Sequence, residues 1–303
     1  MRAIRVHAYG DPPRIDDIAV PGAPGPGHVG IDVAAGGVGS WDVGVADGRL
    51  ARFIESQPPF VMGAELVGRV AAVGPGVAAF AVGDRVIANP GIVGAWAERV
   101  NLRASTCGPA PATLDDTQAA ALPVGAVTAL QALEMLKLPQ GSSLLILGAG
   151  GSVGRAAIQL ARARGLIVYA LLPAWEMDRS RAFGAHEALD QARDWVTELG
   201  DPVDGVLDLI GGEALERSAT IIRSGGRVVT TLAGSIPSPF ASGISMAYLR
   251  MRGTTADLAS VSAYVDKGEL TLPVGALLPM DDVAEALENV RTGRDTGKHV
   301  LAF

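Results

Sequence analysis

The stretch that decides the fold of this chain is Leu144-Leu145-Ile146-Leu147-Gly148-Ala149-Gly150-Gly151-Ser152-Val153-Gly154. Its four apolar residues predict a buried strand. The residues that follow predict an amphipathic helix, with Val153, Ala156, Ala157, Leu160 and Ala161 on one face and Arg155, Gln159 and Arg162 on the other. A strand that passes through glycines into a helix is typical of the turn that holds a dinucleotide pyrophosphate.

Each position of this turn has an expected task. Gly148 and Gly150 are predicted to permit the sharp turn, Gly151 to let the backbone approach the pyrophosphate, and Gly154 to allow close packing of helix on strand. Backbone N–H groups at the start of a helix attract anions. We therefore predict a cofactor site at Gly148, Gly150, Gly151, Ser152, Val153 and Gly154.

Strand and helix patterns alternate around the turn, over about residues 119–268. Predicted strands cover Ile167–Leu171, Val203–Leu209 and Arg227–Leu232, and a helix Glu213–Ile222 is predicted to close at Ser224-Gly225-Gly226. This alternation indicates an α/β domain with a doubly wound parallel sheet. Its strands would end at Asp208, before Gly211-Gly212, and at Thr231 to Gly234, where such sheets bind ligands.

The first 118 residues have a different character, since Gly and Pro interrupt them every few residues. Short β-like runs occur at Ala3–His7, Val29–Val33, Leu66–Val73, Asp84–Ala88 and Ala97–Leu102. They predict an irregular antiparallel barrel. Residues 269–303, with a helix Asp281–Arg291 and a strand His299–Phe303, are too short for a domain and are expected to complete the first one.

Composition excludes several classes of protein. The net charge is −7 and no Lys/Arg-rich run occurs, which argues against a nucleic-acid partner. There is no signal-peptide pattern and no long uncharged apolar stretch, so we expect a cytoplasmic protein without a membrane partner. Cys107 is the single cysteine, which excludes an internal disulfide and a four-cysteine zinc site.

Several further motifs resemble one known family. They are Met1-Arg2-Ala3-Ile4-Arg5-Val6 with Tyr9-Gly10, Gly37-Val38-Gly39-Ser40-Trp41-Asp42, Pro59-Phe60-Val61-Met62-Gly63-Ala64-Glu65, Val73-Gly74-Pro75-Gly76-Val77, Val82-Gly83-Asp84-Arg85-Val86, Ala119-Ala120-Ala121-Leu122-Pro123 and Gly297-Lys298-His299-Val300-Leu301. In this order they resemble the zinc-independent, zeta-crystallin-like quinone oxidoreductases of the medium-chain dehydrogenase/reductase superfamily. The resemblance implies a GroES-like β-rich catalytic domain made from both termini, with a Rossmann domain between.

The resemblance also implies an activity: NAD(P)H-dependent hydride transfer to a small-molecule quinone or α,β-unsaturated carbonyl, in a homodimer. Zinc-dependent relatives carry a ligating Cys where Gly39 stands and a His where Ala64 stands, so no metal is expected. Zinc-free relatives usually have an Asn at the position of Gly39. Its absence leaves two alternatives open, a biosynthetic enzyme that performs non-redox cyclisation or elimination and a non-catalytic cofactor-binding homologue.

Individual residues receive roles from the resemblance. Thr128 and Lys298 are expected near the cofactor, the latter near the pyrophosphate. Ser40, Trp41, Met62 and Tyr9 are the candidate catalytic residues: Ser40 and Tyr9 as hydrogen-bond donors, and Trp41 and Met62 as apolar walls. Asp42 is expected to be structural.

The choice of cofactor depends on the end of the second strand. NAD-specific Rossmann domains carry an acid about 20 residues beyond the glycine motif. The stretch Ala170–Trp175 contains none, and Arg179 and Arg181 are the nearest cations for a 2′-phosphate. We therefore predict NADPH, with NADH possible. A final strand predicted within Ala247–Thr254 would offer an exposed edge for the homodimer.

Overall fold

The computed structural model describes residues 1–232, 240, 243–293 and 297–303. Contacts divide the chain into two compact units. Unit 1 comprises Met1–Val127 and Arg252–Phe303, and unit 2 comprises Thr128–Met251. The sequence boundaries predicted at 118/119 and 268/269 therefore differ from the boundaries between the units.

The regular elements are numbered in chain order. The strands are β1 Arg2–Val6, β2 Arg14–Asp17, β3 His28–Val38, β4 Phe60–Val61, β5 Leu66–Val73, β6 Arg85–Ala88, β7 Arg99–Arg103, β8 Cys107–Pro109, β9 Ser143–Leu147, β10 Ile167–Leu172, β11 Glu187–Asp190, β12 Val203–Asp208, β13 Ile222–Thr230, β14 Ser245–Tyr248, β15 Val274–Pro279 and β16 Lys298–Ala302. The helices are α1 Ser40–Ala46, α2 Asp116–Ala119, α3 Pro123–Leu136, α4 Ser152–Ala163, α5 Met177–Ala182, α6 Trp195–Leu199, α7 Gly212–Ser218, α8 Thr255–Asp266 and α9 Val283–Thr292.

Unit 1 is built on the long strand β3. In the larger sheet the strand order is β15-β16-β3-β5-β6-β8, with β7 also paired to β3, and a smaller sheet has the order β2-β1-β4. β16 pairs antiparallel with β3, so the C-terminal segment completes this unit as predicted. Helix α8 packs against β8 in unit 1, although the sequence pattern had grouped it with the parallel sheet.

Unit 2 confirms the predicted parallel sheet. Its described strands have the order β11-β10-β9-β12-β13-β14, and each neighbouring pair is parallel. β9 lies between β10 and β12, so the strand order reverses at its carboxyl end. In sheets of this kind that reversal is where ligands bind. The glycine turn follows β9 directly.

Two boundaries in unit 2 were predicted wrongly. The helix expected over Glu213–Ile222 ends at Ser218, and Ser224-Gly225-Gly226 lies inside β13 and does not close a helix. The register between β12 and β13 shifts between Val203 and Gly205, and Gly225 has a φ of +81°. A glycine in a left-handed conformation can form a strand irregularity as well as a helix end, so the motif alone did not decide between them.

The last strand of the sheet also lies earlier than predicted. β14 covers Ser245–Tyr248, whereas Leu249 is buried after its end. The Thr254 hydroxyl accepts a hydrogen bond from the Asp257 backbone N–H and caps α8. Local capping therefore ends the extended segment before Thr254. None of the described helices is long and apolar enough to cross a bilayer.

Candidate cofactor and substrate sites

The glycine turn of unit 2 is fixed at its first residue. Gly148 has a φ of +82°, and the N–H groups of Gly148 and Ala149 both donate to the Leu171 carbonyl at 3.0 Å. A Cβ at position 148 would stand 2.5 Å from Ile210 Cγ2. Both conformation and space therefore require glycine here, as predicted.

The other glycines of the turn differ from one another. A Cβ at Gly154 would lie 2.5 Å from Ala149 Cα, which agrees with close packing of α4 on the turn. Gly150 has no left-handed φ, so the sharp turn does not depend on it, contrary to the prediction. A Cβ at Gly151 would meet nothing within 4 Å. The turn thus leaves open space in front of Gly151.

That open space suits an anionic group. Gly151 is the N-cap of α4, and Ser152, Val153 and Gly154 form the first turn of this twelve-residue helix. First-turn N–H groups have no partner within their own helix. Together with the helix dipole they stabilise negative charge. The residues present therefore fit a dinucleotide pyrophosphate, and Gly151, Ser152 and Val153 would hold it.

Asp208, predicted as a cofactor contact, has a different task. Its side chain is fully buried at the end of β12. Its Oδ1 accepts the N–H groups of Ile210 at 3.2 Å and Gly211 at 2.7 Å, and its Oδ2 accepts the Thr230 hydroxyl at 2.7 Å. The carboxylate therefore shapes the turn after β12 from inside, and its contact with a cofactor stays a prediction.

The other residues of unit 2 that are predicted to contact the cofactor differ in how much space lies around them. Gly211 and Gly212 have φ values of +67° and +59°, and a Cβ at Gly212 would meet nothing within 4 Å, which leaves room for a ligand beside the start of α7. Thr231 follows β13 and donates its N–H to the Asp208 carbonyl at 3.1 Å. Thr128 is buried in α3. Gly234 lies outside the described residues.

One charged cluster in unit 2 was missed. The helical pattern placed Arg155 and Gln159 on an exposed face, but both are buried. Nη2 of Arg155 lies 2.9 and 3.1 Å from the two carboxylate oxygens of Glu176, which is also buried. Arg179 Nη1 lies 3.5 Å from Glu176 Oε1. The loop after β10 covers this part of α4 and brings an acid of its own.

A second buried ion pair lies in unit 1. Lys298 Nζ lies 2.5 Å from Glu65 Oε1, and both side chains are almost inaccessible. Glu65 Oε2 accepts the Val124 backbone N–H at 2.7 Å. A Cβ at Gly37 would stand 2.6 Å from Glu65 Oε1, so this glycine makes room for the carboxylate. Lys298 is thus committed to Glu65, which does not favour its predicted role as a pyrophosphate ligand.

This ion pair borders Gly39, which stands where zinc-dependent relatives carry a ligating Cys. A Cβ at Gly39 would be 2.9 Å from Lys298 Nζ, so the ammonium occupies the space of a side chain there. The Gly39 N–H donates to Asp42 Oδ2 at 2.9 Å. Asp42 is buried, and its Oδ1 has no hydrogen-bond partner among the described residues. Burial raises the pKa of Asp42 to about 7, although Lys298 lowers it.

The four predicted catalytic residues differ in their burial and in their neighbours. Ser40 is exposed in the first turn of α1. Trp41 and Tyr9 are partly buried; their rings lie 6.3 Å from Phe53 and 6.1 Å from Phe60, respectively. Met62 is fully buried in the core of unit 1, which does not favour its predicted role as a pocket wall.

The sequence held partial signals for the residues that were missed. Glu65 lies within the segment of residues 62–70, most of which are buried. An acid in such a segment needs a buried partner. Glu176 stands one residue beyond the stretch searched for an acid. Within the described ranges, no group of three or more His, Cys, Asp or Glu residues could hold a metal ion.

Comparisons with known proteins agree with the two-unit architecture. Residues 25–112 match the alcohol dehydrogenase GroES-like domain, and residues 183–301 match the zinc-binding dehydrogenase domain. A human quinone oxidoreductase is 31% identical over 325 aligned residues, which cover 99% of this chain and 97% of the human protein.

Solved structures give the same result. The quinone oxidoreductase from Coxiella burnetii has a TM-score of 0.93 at 25% identity, covering 100% of this chain and 99% of that one. The CurK enoyl reductase has a TM-score of 0.89 at 24% identity, covering 99% and 98%, and shows a common fold alone.

Proposed function

Because the chain belongs to the quinone oxidoreductase family of the medium-chain dehydrogenase/reductase superfamily, we propose that it uses NADPH to reduce a quinone or an α,β-unsaturated carbonyl without a metal ion. That the chain is a nicotinamide-dinucleotide-dependent oxidoreductase follows from the family itself. The substrate, the choice of NADPH and the absence of zinc are the parts proposed.

The observation that carries the cofactor part is the open space at Gly151. The turn needs glycine at Gly148, is tightly packed at Gly154 and is open at Gly151. Its amides and the dipole of α4 would hold the pyrophosphate. When bound, the reduced nicotinamide supplies the hydride.

The metal-free part is supported by Lys298. In zinc-dependent relatives a ligand side chain occupies position 39, but here that space holds an ammonium group, which Glu65 anchors at 2.5 Å. The ammonium thereby occupies the space that a metal ligand would need, which supports a site without zinc.

Ser40 is the proposed hydrogen-bond donor to the substrate oxygen. It is exposed in the first turn of α1, two positions from Asp42. Its hydroxyl can donate to an oxygen that becomes an enolate or a quinol. The proton that completes the reduction would then come from solvent.

The direct test is NADPH consumption with a panel of quinones and enones, run with metal-free enzyme and with chelator. We expect turnover that neither chelator nor added zinc changes. Ser40→Ala should lower kcat about a hundredfold, by the usual effect of one lost oxyanion donor. Ser260→Ala, an exposed serine of α8, is the matched control and should leave kcat unchanged.

The outcomes separate the alternatives. Activity that disappears with chelator and returns with zinc would contradict the metal-free proposal. Product formed without consumption of NADPH would point to cyclisation or elimination. Tight NADPH binding without turnover of any panel member would indicate a non-catalytic homologue.

We also propose a homodimer through the free side of β14. Among the described residues no strand pairs with that side. The Leu249 N–H donates to the Thr230 carbonyl at 2.8 Å, so by alternation the backbone of Met246 faces away from β13. Met246→Pro should yield monomers in light scattering with a native circular dichroism spectrum. A dimer that survives this substitution would place the interface elsewhere.

A further inference from the structure

An acidic side chain lies beside the glycine turn of unit 2. Glu176 ends the short 3-10 turn Ala174–Glu176 that follows β10. A Cβ at Gly150 would stand 3.5 Å from Glu176 Cγ. In Rossmann domains a carboxylate after the second strand accepts a hydrogen bond from the adenosine ribose, and its charge repels a 2′-phosphate. An unpaired Glu176 would therefore favour NADH.

Glu176 is paired from within the helix that starts at the same turn. Arg155 Nη2 lies 2.9 and 3.1 Å from its two oxygens, and the two side chains are 6% and 3% exposed. Burial lowers the pKa of Arg155, and the Glu176 carboxylate opposes that shift. Neither charge has ready access to water, so each depends on the other for compensation.

A second guanidinium contacts the same carboxylate from outside. Arg179 Nη1 lies 3.5 Å from Glu176 Oε1, and the Arg179 side chain is 39% exposed. The three groups carry two positive charges and one negative charge. The accessible part of the cluster is the Arg179 guanidinium, whereas the acid that it contacts is buried.

We propose that Arg155 neutralises Glu176 from inside α4, and that Glu176 in turn positions Arg179 to bind the 2′-phosphate of NADPH. Glu176 and Arg155 are then positioning residues that set cofactor preference, and Arg179 is the binding residue. The inference rests on the proposed function, since it concerns the site proposed for the same cofactor.

The decisive variants change the charges one at a time. Arg155→Met uncovers the Glu176 carboxylate, and we expect NADPH to bind at least tenfold more weakly while NADH binding stays within about twofold. The double variant Arg155→Met, Glu176→Gln removes the repelling charge as well. It should recover most of the lost NADPH affinity, because the Gln side-chain oxygen can still accept the hydrogen bond from Arg179.

Two further variants keep the test independent of folding. Arg179→Met changes a partly exposed side chain and should weaken NADPH about tenfold without changing NADH. Arg162→Met removes the same charge from an exposed position of α4, and it should change neither dissociation constant. Fluorescence titrations with both cofactors, at two salt concentrations and with melting temperatures, give the full comparison.

Each outcome decides something. Equal weakening of both cofactors by Arg155→Met, or no recovery in the double variant, would overturn the neutralising role. If Arg155→Met does not fold, unchanged NADPH binding in Arg179→Met would still overturn the proposal. A wild-type protein that prefers NADH would overturn this inference and the proposed choice of NADPH but leave the proposed reduction standing, whereas one that binds neither cofactor would overturn the proposed function.

Discussion

Each unit contains a buried ion pair, and the two pairs differ in the type of cation and in the charge of the group beside it. In unit 1, Lys298 contacts Glu65 through one short ammonium–carboxylate contact of 2.5 Å, with the buried Asp42 nearby. In unit 2, a planar guanidinium contacts both oxygens of Glu176, and a second arginine stands outside. The first pair carries an extra negative group, and the second an extra positive group.

The two cations differ in size and in the number of hydrogen bonds that they can donate. A Lys ammonium is a compact point charge and fits the small space beside Gly39, where a side chain is missing. A guanidinium is larger and offers several donors, so it can neutralise a carboxylate over its whole face. Glycine makes room for the pair of unit 1, at Gly37 and Gly39, whereas a Cβ at Gly150 in unit 2 would meet Glu176 Cγ at an ordinary contact distance of 3.5 Å.

The largest effect is expected at the glycine turn. Gly151→Val should abolish cofactor binding, by at least about a hundredfold, because the added side chain fills the space proposed for the pyrophosphate. The fold should persist, since a Cβ there meets nothing and the φ of −79° suits any residue. Titration with NADPH and a melting curve measure both.

Gly154→Val provides the contrast at the same turn. Its Cβ would lie 2.5 Å from Ala149 Cα, so this variant should lose stability. Cofactor binding by a folded Gly151→Val protein at wild-type affinity would place the pyrophosphate elsewhere.

The next effect concerns the ion pair of unit 1. Lys298→Met leaves the Glu65 carboxylate buried without its cation, and it should lower the free energy of unfolding by about 3–5 kcal/mol. Lys298→Met, Glu65→Gln should recover much of that loss in urea denaturation. Lys267→Met, at an exposed lysine, is the control and should change stability little. Equal losses in the single and double variants would show that the charges are not coupled.

A smaller effect should appear as a pH dependence from Asp42. Its folded-state pKa of about 7 is above the ordinary value of 3.8, so its contribution to stability is complete below pH 4 and is lost as the pH rises to about 7. The loss should be roughly 2–4 kcal/mol. Asp42→Asn should flatten the urea-denaturation profile over this range. Parallel profiles for the two proteins would contradict the raised pKa.

The smallest effect is expected at an exposed ion pair of unit 1. Arg291 Nη2 lies 2.6 Å from Asp47 Oδ1, but the two side chains are 46% and 30% exposed. Arg291→Gln should change the free energy of unfolding by less than about 1 kcal/mol, and 0.5 M salt should reduce the difference further. A larger change in the free energy of unfolding that salt does not reduce would show that this exposed pair behaves like the buried pairs.

Local patterns predicted much of the fold because they depend on short stretches. The apolar run of β9, the glycines after it and the face of Ala156 and Leu160 follow from periodicity within a dozen residues. The site was predicted less well. Asp208 is predicted as a ligand contact and Met62 as a pocket wall, but Asp208 accepts hydrogen bonds from the turn after β12 and Met62 packs in the core of unit 1.

The sequence by itself determined the parallel sheet, its glycine turn and, through the resemblance, the family. The tertiary structure alone decided which charges are buried and paired. Arg155 looks exposed on a helical wheel until the loop after β10 places Glu176 against it. Lys298 and Glu65 meet because β16 returns to pair with β3. Periodicity describes neighbours along the chain, whereas the partner of a buried charge is set by packing between distant segments.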